Sequence, residues 1–281
     1  ESFYLADKMP GWLIKDKADA EKIFQEQLER CGVEYFDFYL CHSLRKEGFQ
    51  VYQKQGIYDF LRQKKAEGKI RRLGFSFHDT PEVLEYIVNQ YEWDFAQLQL
   101  NYLDWEVQNA RRQYEILEKH GIPCVVMEPV RGGALASLCE EADHILKTAE
   151  PEKSVASWAI RFAASLPNVM CVLSGMSNRQ QTEDNIATMS RFQPLSANEK
   201  ETLHKALEAY KKNVTVPCTG CRYCMECPAG VDIPAVFQMF NRYSIGKNKE
   251  AYKREYEALD QGKRASACVA CGQCMEHCPQ K

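Results

Sequence analysis

Residues 72–101 read RLGFSFHDTPEVLEYIVNQYEWDFAQLQLN. Two short apolar runs, RLGFSF (72–77) and FAQLQLN (95–101), enclose a segment that opens on Thr80-Pro81, a side-chain cap with proline in the first helical turn. Runs this short and this apolar read as strands covered on both faces, and a helix between two of them makes the strands parallel. The stretch is one β-α-β unit.

The pattern repeats in both directions. Further strand-like runs are SFYLADK (2–8), FDFYLCH (36–42), CVVMEP (124–129) and VMCVLSG (169–175). Between them, ADAEKIFQEQLERCG sets Ile23, Gln27, Leu28 and Cys31 along one side, and GIYDFLRQKKAEG sets Ile57, Phe60, Leu61 and Lys64 at helical steps. Gly32, Gly68 and Gly121 fall where helices stop. The alternation predicts an α/β protein with parallel strands, as an open doubly wound sheet or a closed barrel. No G-x-G-x-x-G follows a strand, which weighs against a dinucleotide-binding sheet.

A (β/α)8 TIM barrel has eight such units, whereas the runs quoted make six. A barrel short of two strands would leave edges open along its core. The expectation is therefore a (β/α)8 barrel whose first two strands lie in roughly 70 to 90 residues ahead of Glu1. The barrel is expected to close at SANEKETLHKALEAYKK, where Ser196 and Glu199 form a capping-box pattern. VTVP (214–217) then reads as a linker, which divides the chain into a barrel at 1–213 and a small cysteine-rich domain at 214–281.

With 281 residues, 45% hydrophobic and 27% charged, the composition is that of a globular chain. A formal net charge of -3 provides no general attraction to nucleic acid or anionic lipid. No apolar run approaches the roughly 18 to 20 residues that span a bilayer. Residues 1–30 lack a basic segment followed by an apolar run, so the expectation is a soluble cytoplasmic protein with no nucleic-acid or membrane partner.

Of the 13 cysteines, eight lie in the last quarter, in the quartets CTGCRYCMECP (Cys218, Cys221, Cys224, Cys227) and CVACGQCMEHCP (Cys268, Cys271, Cys274, Cys278). Disulfides would need an oxidising compartment. Zinc would use two C-x2-C pairs and gains nothing from a third thiolate at the same step. A cubane iron–sulfur cluster suits three thiolates at steps of three with a fourth from a distance, and this reading is preferred. The tail resembles a two-cluster bacterial ferredoxin. That resemblance implies two [4Fe–4S] clusters with crossed ligand sets: Cys218, Cys221 and Cys224 with Cys278, and Cys268, Cys271 and Cys274 with Cys227. The first quartet departs from the ferredoxin run by ending C-x2-C-P. Between the quartets, DIPAVFQMFNRYSIG has Asp232 as a cap and Val236, Phe237 and Phe240 on one face, read as the core that covers the clusters. The other five cysteines, Cys31, Cys41, Cys124, Cys139 and Cys171, are read as small buried hydrophobes.

Lys8 and His42 both end barrel strands, on the side where active sites of such barrels collect. Together they form a proton-handling pair, since a buried Lys lowers a neighbour's pKa and a His can donate to an oxyanion. His78 and Asp79, after the next strand, are further candidates for the pocket wall.

The segments FYLADK, CGVEYFDFYLCHS, KAEGKIRRLGFSFHD, FAQLQLNYLD, CVVMEPVRGG and VLSGMSNRQQTEDNI, in this order, resemble the aldo/keto reductases, in particular the bacterial branch with a ferredoxin-like extension. The resemblance implies a barrel that binds NADPH or NADH across the strand ends and passes hydride to a small-molecule carbonyl substrate. Lys8 matches the family's catalytic lysine and His42 the histidine that polarises the carbonyl. Ser76 and Gln97 match positions that hold the nicotinamide carboxamide, and Met127 stands where many relatives stack a Tyr. Arg131 and Gly132 follow the family's seventh strand at a phosphate, and Gly175, Ser177, Gln181 and Asn185 match the segment around the adenosine phosphate. Gln181 replaces an Arg, which weakens the grip on a 2′-phosphate. The family's catalytic Tyr and its Asp partner have no match here, so these 281 residues are not expected to reduce carbonyls. The function expected is an NAD(P)H-dependent oxidoreductase with an electron-transfer tail that meets a ferredoxin or flavoprotein. The alternatives are a non-catalytic electron-transfer or scaffold protein, or clusters that act only as structural staples.

Overall fold

The computed structural model describes residues 3–213 and 215–280. Ser2, in the first strand-like run, and Val214, in the linker, lie outside the described residues. The chain separates into two compact units, one running up to Met127 and including Leu166–Ser174, the other comprising Glu128–Ser165 and the residues from Gly175 on.

The first unit is built on six parallel strands: β1 (Ala6–Met9), β2 (Phe36–Leu44), β3 (Ile70–Phe77), β4 (Phe95–Gln99), β5 (Cys124–Met127) and β6 (Val169–Val172). Each pairs with the next in chain order, so every connection returns the chain to the same end of the sheet. The crossovers carry α1 (Lys17–Cys31), α2 (Lys46–Lys54), α3 (Ile57–Ala66), α4 (Pro81–Gln90), α5 (Asp104–Val107) and α6 (Ala110–Lys119). β4 is buried at every position, whereas β1 and β6 are only partly covered. Those two have a strand neighbour on one side only among the described residues, which explains the departure from strands covered on both faces.

Gly32, Gly68 and Gly121 adopt left-handed φ values of 64°, 77° and 65° at the helix ends, a region where only glycine is unstrained. The buried stripe of α1 corrects the sequence reading: it is Ala20, Phe24 and Leu28, with Cys31 exposed at the end. Gln27 is taken off the apolar face by polar work, its Nε2 donating to the Lys8 carbonyl at 2.9 Å while its Oε1 accepts from the Tyr39 hydroxyl. Cys171 is exposed too, on the half-covered β6, whereas Cys41, Cys124 and Cys139 are buried. Thr80 precedes α4 with extended backbone but makes no side-chain cap bond; Pro81 alone marks the start.

The second unit is helical: α7 (Glu140–Ala149), α8 (Val155–Ala164), α9 (Arg179–Ser190), α10 (Ala197–Lys211), α11 (Ile233–Gly246), α12 (Lys249–Ala258) and α13 (Gln273–His277). The Ser196–Glu199 capping box opens α10, and Asp232 caps α11 by accepting the Ala235 N–H. Buried Arg161 on α8 meets Glu199 at 2.6 Å, which fastens α10 against α8. Among the described residues no helix is long and apolar enough to cross a membrane.

Candidate active site and cysteine cavities

Five consecutive strands each carry one of the side chains singled out from sequence: Lys8 on β1, His42 on β2, Ser76 on β3, Gln97 on β4 and Met127 at the end of β5. The register of β2 against β3 shifts between Cys41 and Leu44, so His42 and Ser43 sit in a bulge, with Ser43 at φ 53°. A bulge turns a side chain away from the regular alternation, and here it re-aims His42. Ser76 Oγ supports the bulge by accepting the Ser43 N–H at 2.8 Å.

That bond leaves the Ser76 hydroxyl hydrogen available to donate. Opposite it in register, Gln97 donates from Nε2 to the Met127 sulfur at 3.0 Å, which leaves Oε1 as an acceptor. Both side chains are buried. One donor beside one acceptor complements a primary carboxamide, so the residues present fit a nicotinamide there.

Burial lowers the pKa of the Lys8 ammonium, with the Asp7 carboxylate acting in the opposite direction. Burial, reinforced by the Lys8 charge, lowers His42 to about 4. His78 falls to about 4 as well, through burial and the charges of Arg45, His42 and Lys8. Both imidazoles are thus neutral at pH 7, and His42 offers a neutral donor rather than a second cation beside Lys8. Asp79 uses its carboxylate oxygens on the Lys46 and Thr80 amides, at 2.9 and 2.8 Å, and so holds a loop.

In the second unit, Gly175 and Ser177 form a loop ahead of α9 that is tied to Gln181 in the helix's first turn. The Ser177 N–H donates to Gln181 Oε1 at 2.7 Å and its hydroxyl to the Gly175 carbonyl at 3.4 Å. Arg179 is exposed and paired with Glu183 at 2.6 Å, and Asn185 lies half-buried on α9. Arg131 is buried at φ 50°, and Gly132 follows at φ 60°. A Cβ on Gly132 would stand 2.1 Å from the Thr219 carbonyl oxygen, so glycine is required for that approach.

The eight clustered cysteines surround two cavities. One, of about 310 Å³, is lined by Cys227, Cys268, Cys271 and Cys274, with Cys224 in its wall. The other, of about 210 Å³, is lined by Cys218, Cys221, Cys224 and Cys278, with Cys274 in its wall. The first gathers two cysteines of the first quartet and three of the second, and the other three of the first and two of the second. Ile233 and Phe237 of α11 line both. Among the described residues no three Cys, His, Asp or Glu side chains are grouped to hold a single metal ion. Thiols ranged around a cavity fit a polynuclear cluster.

Residues 8–208 match the Aldo/keto reductase family. The chain belongs to that family. Residues 217–281 match the 4Fe-4S dicluster domain, a signature of iron–sulfur clusters. L-galactose dehydrogenase of Arabidopsis thaliana is 23% identical over 216 residues, covering 70% of this chain and 66% of that protein. NADH-specific methylglyoxal reductase of Escherichia coli (strain K12) is 24% identical over 190 residues, covering 58% and 57%. The chain thus spans less than two thirds of the length of either curated relative. The holo form of an aldo-keto reductase from Bacillus halodurans superposes with a TM-score of 0.59 at 23% identity, over 72% of this chain and 71% of that one, and so shares its α/β fold.

Two residues of the candidate site escaped the sequence reading. The Trp12 ring packs against the His42 ring with centroids 4.9 Å apart. Its place three residues beyond β1, after Pro10-Gly11, was a faint signal. Tyr52 on α2 had none. Its hydroxyl accepts the His42 N–H at 2.9 Å and the Gly11 N–H at 3.1 Å and donates to the Met9 carbonyl, so it holds the end of β1 to the strand of His42.

Proposed function

We propose that this chain is the cofactor-binding and electron-carrying part of an NADH-dependent oxidoreductase, acting on a small polar carbonyl or alcohol, whose tail holds two [4Fe–4S] clusters. The observation that carries the reading is the row of Lys8, His42, Ser76 and Gln97 on four adjacent strands, in a chain whose family is established. When bound, the nicotinamide supplies a hydride and the clusters supply single electrons.

Ser76 and Gln97 hold the carboxamide and so select the ring face that is presented. Neutral His42 donates to the substrate oxygen, and the Lys8 ammonium adds positive charge where negative charge develops. The preference for NADH rests on the phosphate loop, where Gln181 is turned back to Ser177 and Arg179 is paired with Glu183, so no guanidinium fork is set for a 2′-phosphate. Cys218, Cys221, Cys224 and Cys278 would hold one cluster, and Cys268, Cys271, Cys274 and Cys227 the other, with Ile233 and Phe237 lining both cavities. Because a hydride carries two electrons and a cluster one, the tail calls for a one-electron partner of ferredoxin or flavoprotein type. We place the barrel in 1–213, the tail in 214–281, and the protein in the reducing cytoplasm, where cysteines stay available as cluster ligands.

The test is metal analysis of protein purified without oxygen, followed by titration with NADH. About eight irons per chain are expected, together with saturable binding that Gln97→Ala weakens. Tightly bound zinc without iron would overturn the cluster assignment, and tryptophan fluorescence indifferent to NADH would overturn the cofactor assignment.

A further inference from the structure

Helices α8 and α9 of the second unit border a cavity of about 260 Å³ that shares no wall residue with the cysteine cavities or with the loop of Gly175, Ser177 and Gln181. From α9 it takes Asp184, Ala187, Thr188 and, just past the helix end, Arg191, which fall at steps of three and four along one face. From α8 it takes the cap Ser154 and Arg161, again seven residues apart. Seven residues of helix rise about 10 Å, so the two helices frame a slot of that length. Its ends are tied in matching order. At one, the Ser154 hydroxyl donates to Asp184 Oδ2 at 2.6 Å; at the other, Arg161 donates from Nε and Nη2 to the carbonyl of Gln193, two residues past Arg191, at 3.4 Å. Ala187 and Thr188, between the ends, are small.

The slot is acidic at one end and basic at the other. Asp184 and Glu152 supply carboxylates at the first end; Lys153 beside them has its ammonium 3.3 Å from the Glu150 carboxylate, which is not part of the wall. Arg161 and Arg191 supply guanidinium groups at the second. Arg161 is only 5% exposed, and although its Nη2 meets Glu199 at 2.6 Å, its Nη1 is buried and has no hydrogen-bond partner. Among the described residues Arg191, Asp184 and Glu152 make no ion pair. Acid near a helix start and base near its end suit the helix dipole. That arrangement alone accounts neither for a buried guanidinium N–H without an acceptor nor for the open slot at whose wall it stands.

We propose that this cavity binds a small zwitterion whose ammonium group meets Asp184 and Glu152 and whose carboxylate meets Arg191 and the Nη1 of Arg161, the two charges being carried several carbons apart as in an ω-amino acid. Each end then makes charge-assisted hydrogen bonds, and the orphaned N–H of Arg161 gains its acceptor. Groups that share one carbon, as in glycine, reach only one end of the slot. The site stands independently of the cofactor and cluster readings above.

The experiment is calorimetric titration of the full chain, purified without oxygen, with ε-aminocaproate, and with glycine, caproate and hexylamine as probes that lack the span or one of the charges. Saturable binding of ε-aminocaproate is expected, with the other three probes at least about tenfold weaker, and with ε-aminocaproate itself weakened at least about tenfold in Arg191→Gln and in Asp184→Asn. Ala187→Leu, which fills the slot between the two ends, should abolish binding, and excess NADH should leave it unchanged. Absence of binding to the parent, caproate or hexylamine binding as well as ε-aminocaproate, unaltered affinity in Arg191→Gln, or displacement by NADH would each overturn the proposal. If Asp184→Asn does not fold once its bond to Ser154 changes, Arg191→Gln, at an exposed position, decides alone.

Discussion

Removing the Tyr52 hydroxyl should loosen the site more than its single oxygen suggests. Tyr52 is 2% exposed, and that oxygen serves three backbone groups: the N–H groups of Gly11 and His42 and the carbonyl of Met9. Tyr52→Phe keeps the ring and deletes all three bonds. At about 1 kcal/mol net for each bond, the loss is about 3 kcal/mol, with the desolvation of the stranded Gly11 N–H able only to add to it. Tyr58→Phe is the matched control, because the Tyr58 hydroxyl makes one bond, to the Glu92 carbonyl at 2.7 Å, and should cost about 1 kcal/mol. Urea denaturation of both variants, followed by circular dichroism, measures the difference. NADH affinity should fall in Tyr52→Phe, since the strand of His42 is then tied to β1 by the sheet alone, and should stay unchanged in Tyr58→Phe. Equal destabilisation of the two variants would refute the argument that Tyr52 is the clamp between β1 and β2.

Further expectations concern charge. His42 and His78 sit near pH 4 in the fold against an ordinary 6.5, so between those values the unfolded chain holds more protons than the folded one and stability falls as pH drops from 6.5 towards 4; His42→Asn with His78→Asn should flatten that part of the stability profile. Glu199→Ala leaves the Arg161 guanidinium buried without its carboxylate and should cost about 3 to 5 kcal/mol by urea denaturation. NADH should bind about tenfold more tightly than NADPH, a difference of about 1.4 kcal/mol, and Gln181→Arg should narrow or reverse that ratio in a fluorescence titration.

Everything carried by near neighbours in the chain was legible without coordinates. The alternation of short apolar runs with amphipathic segments determined six parallel strands and their crossovers, because that periodicity reflects which residues face a core. Gly32, Gly68 and Gly121 marked helix ends, and Ser196 with Glu199 marked a helix start, because capping acts within one turn. The two cysteine quartets named their chemistry by spacing alone.

What the tertiary structure decided depends on groups far apart in sequence. The buried face of α1 is Ala20, Phe24 and Leu28, because Gln27 is drawn to the Lys8 carbonyl. Cys31 and Cys171 are exposed, since coverage depends on which elements pack above them, and no local pattern records that. The bulge that aims His42, the Ser76 hydroxyl that supports it and the Tyr52 clamp all join residues between 10 and 43 positions apart. Arg131 and Gly132 belong to a conventional barrel turn by sequence, and only packing brings Thr219, 87 positions from Gly132, close enough for the absence of one methyl group to matter. Local signals specify elements because a helix or strand is defined by its own neighbours; the site is specified by pairwise contacts that exist only once those elements are packed.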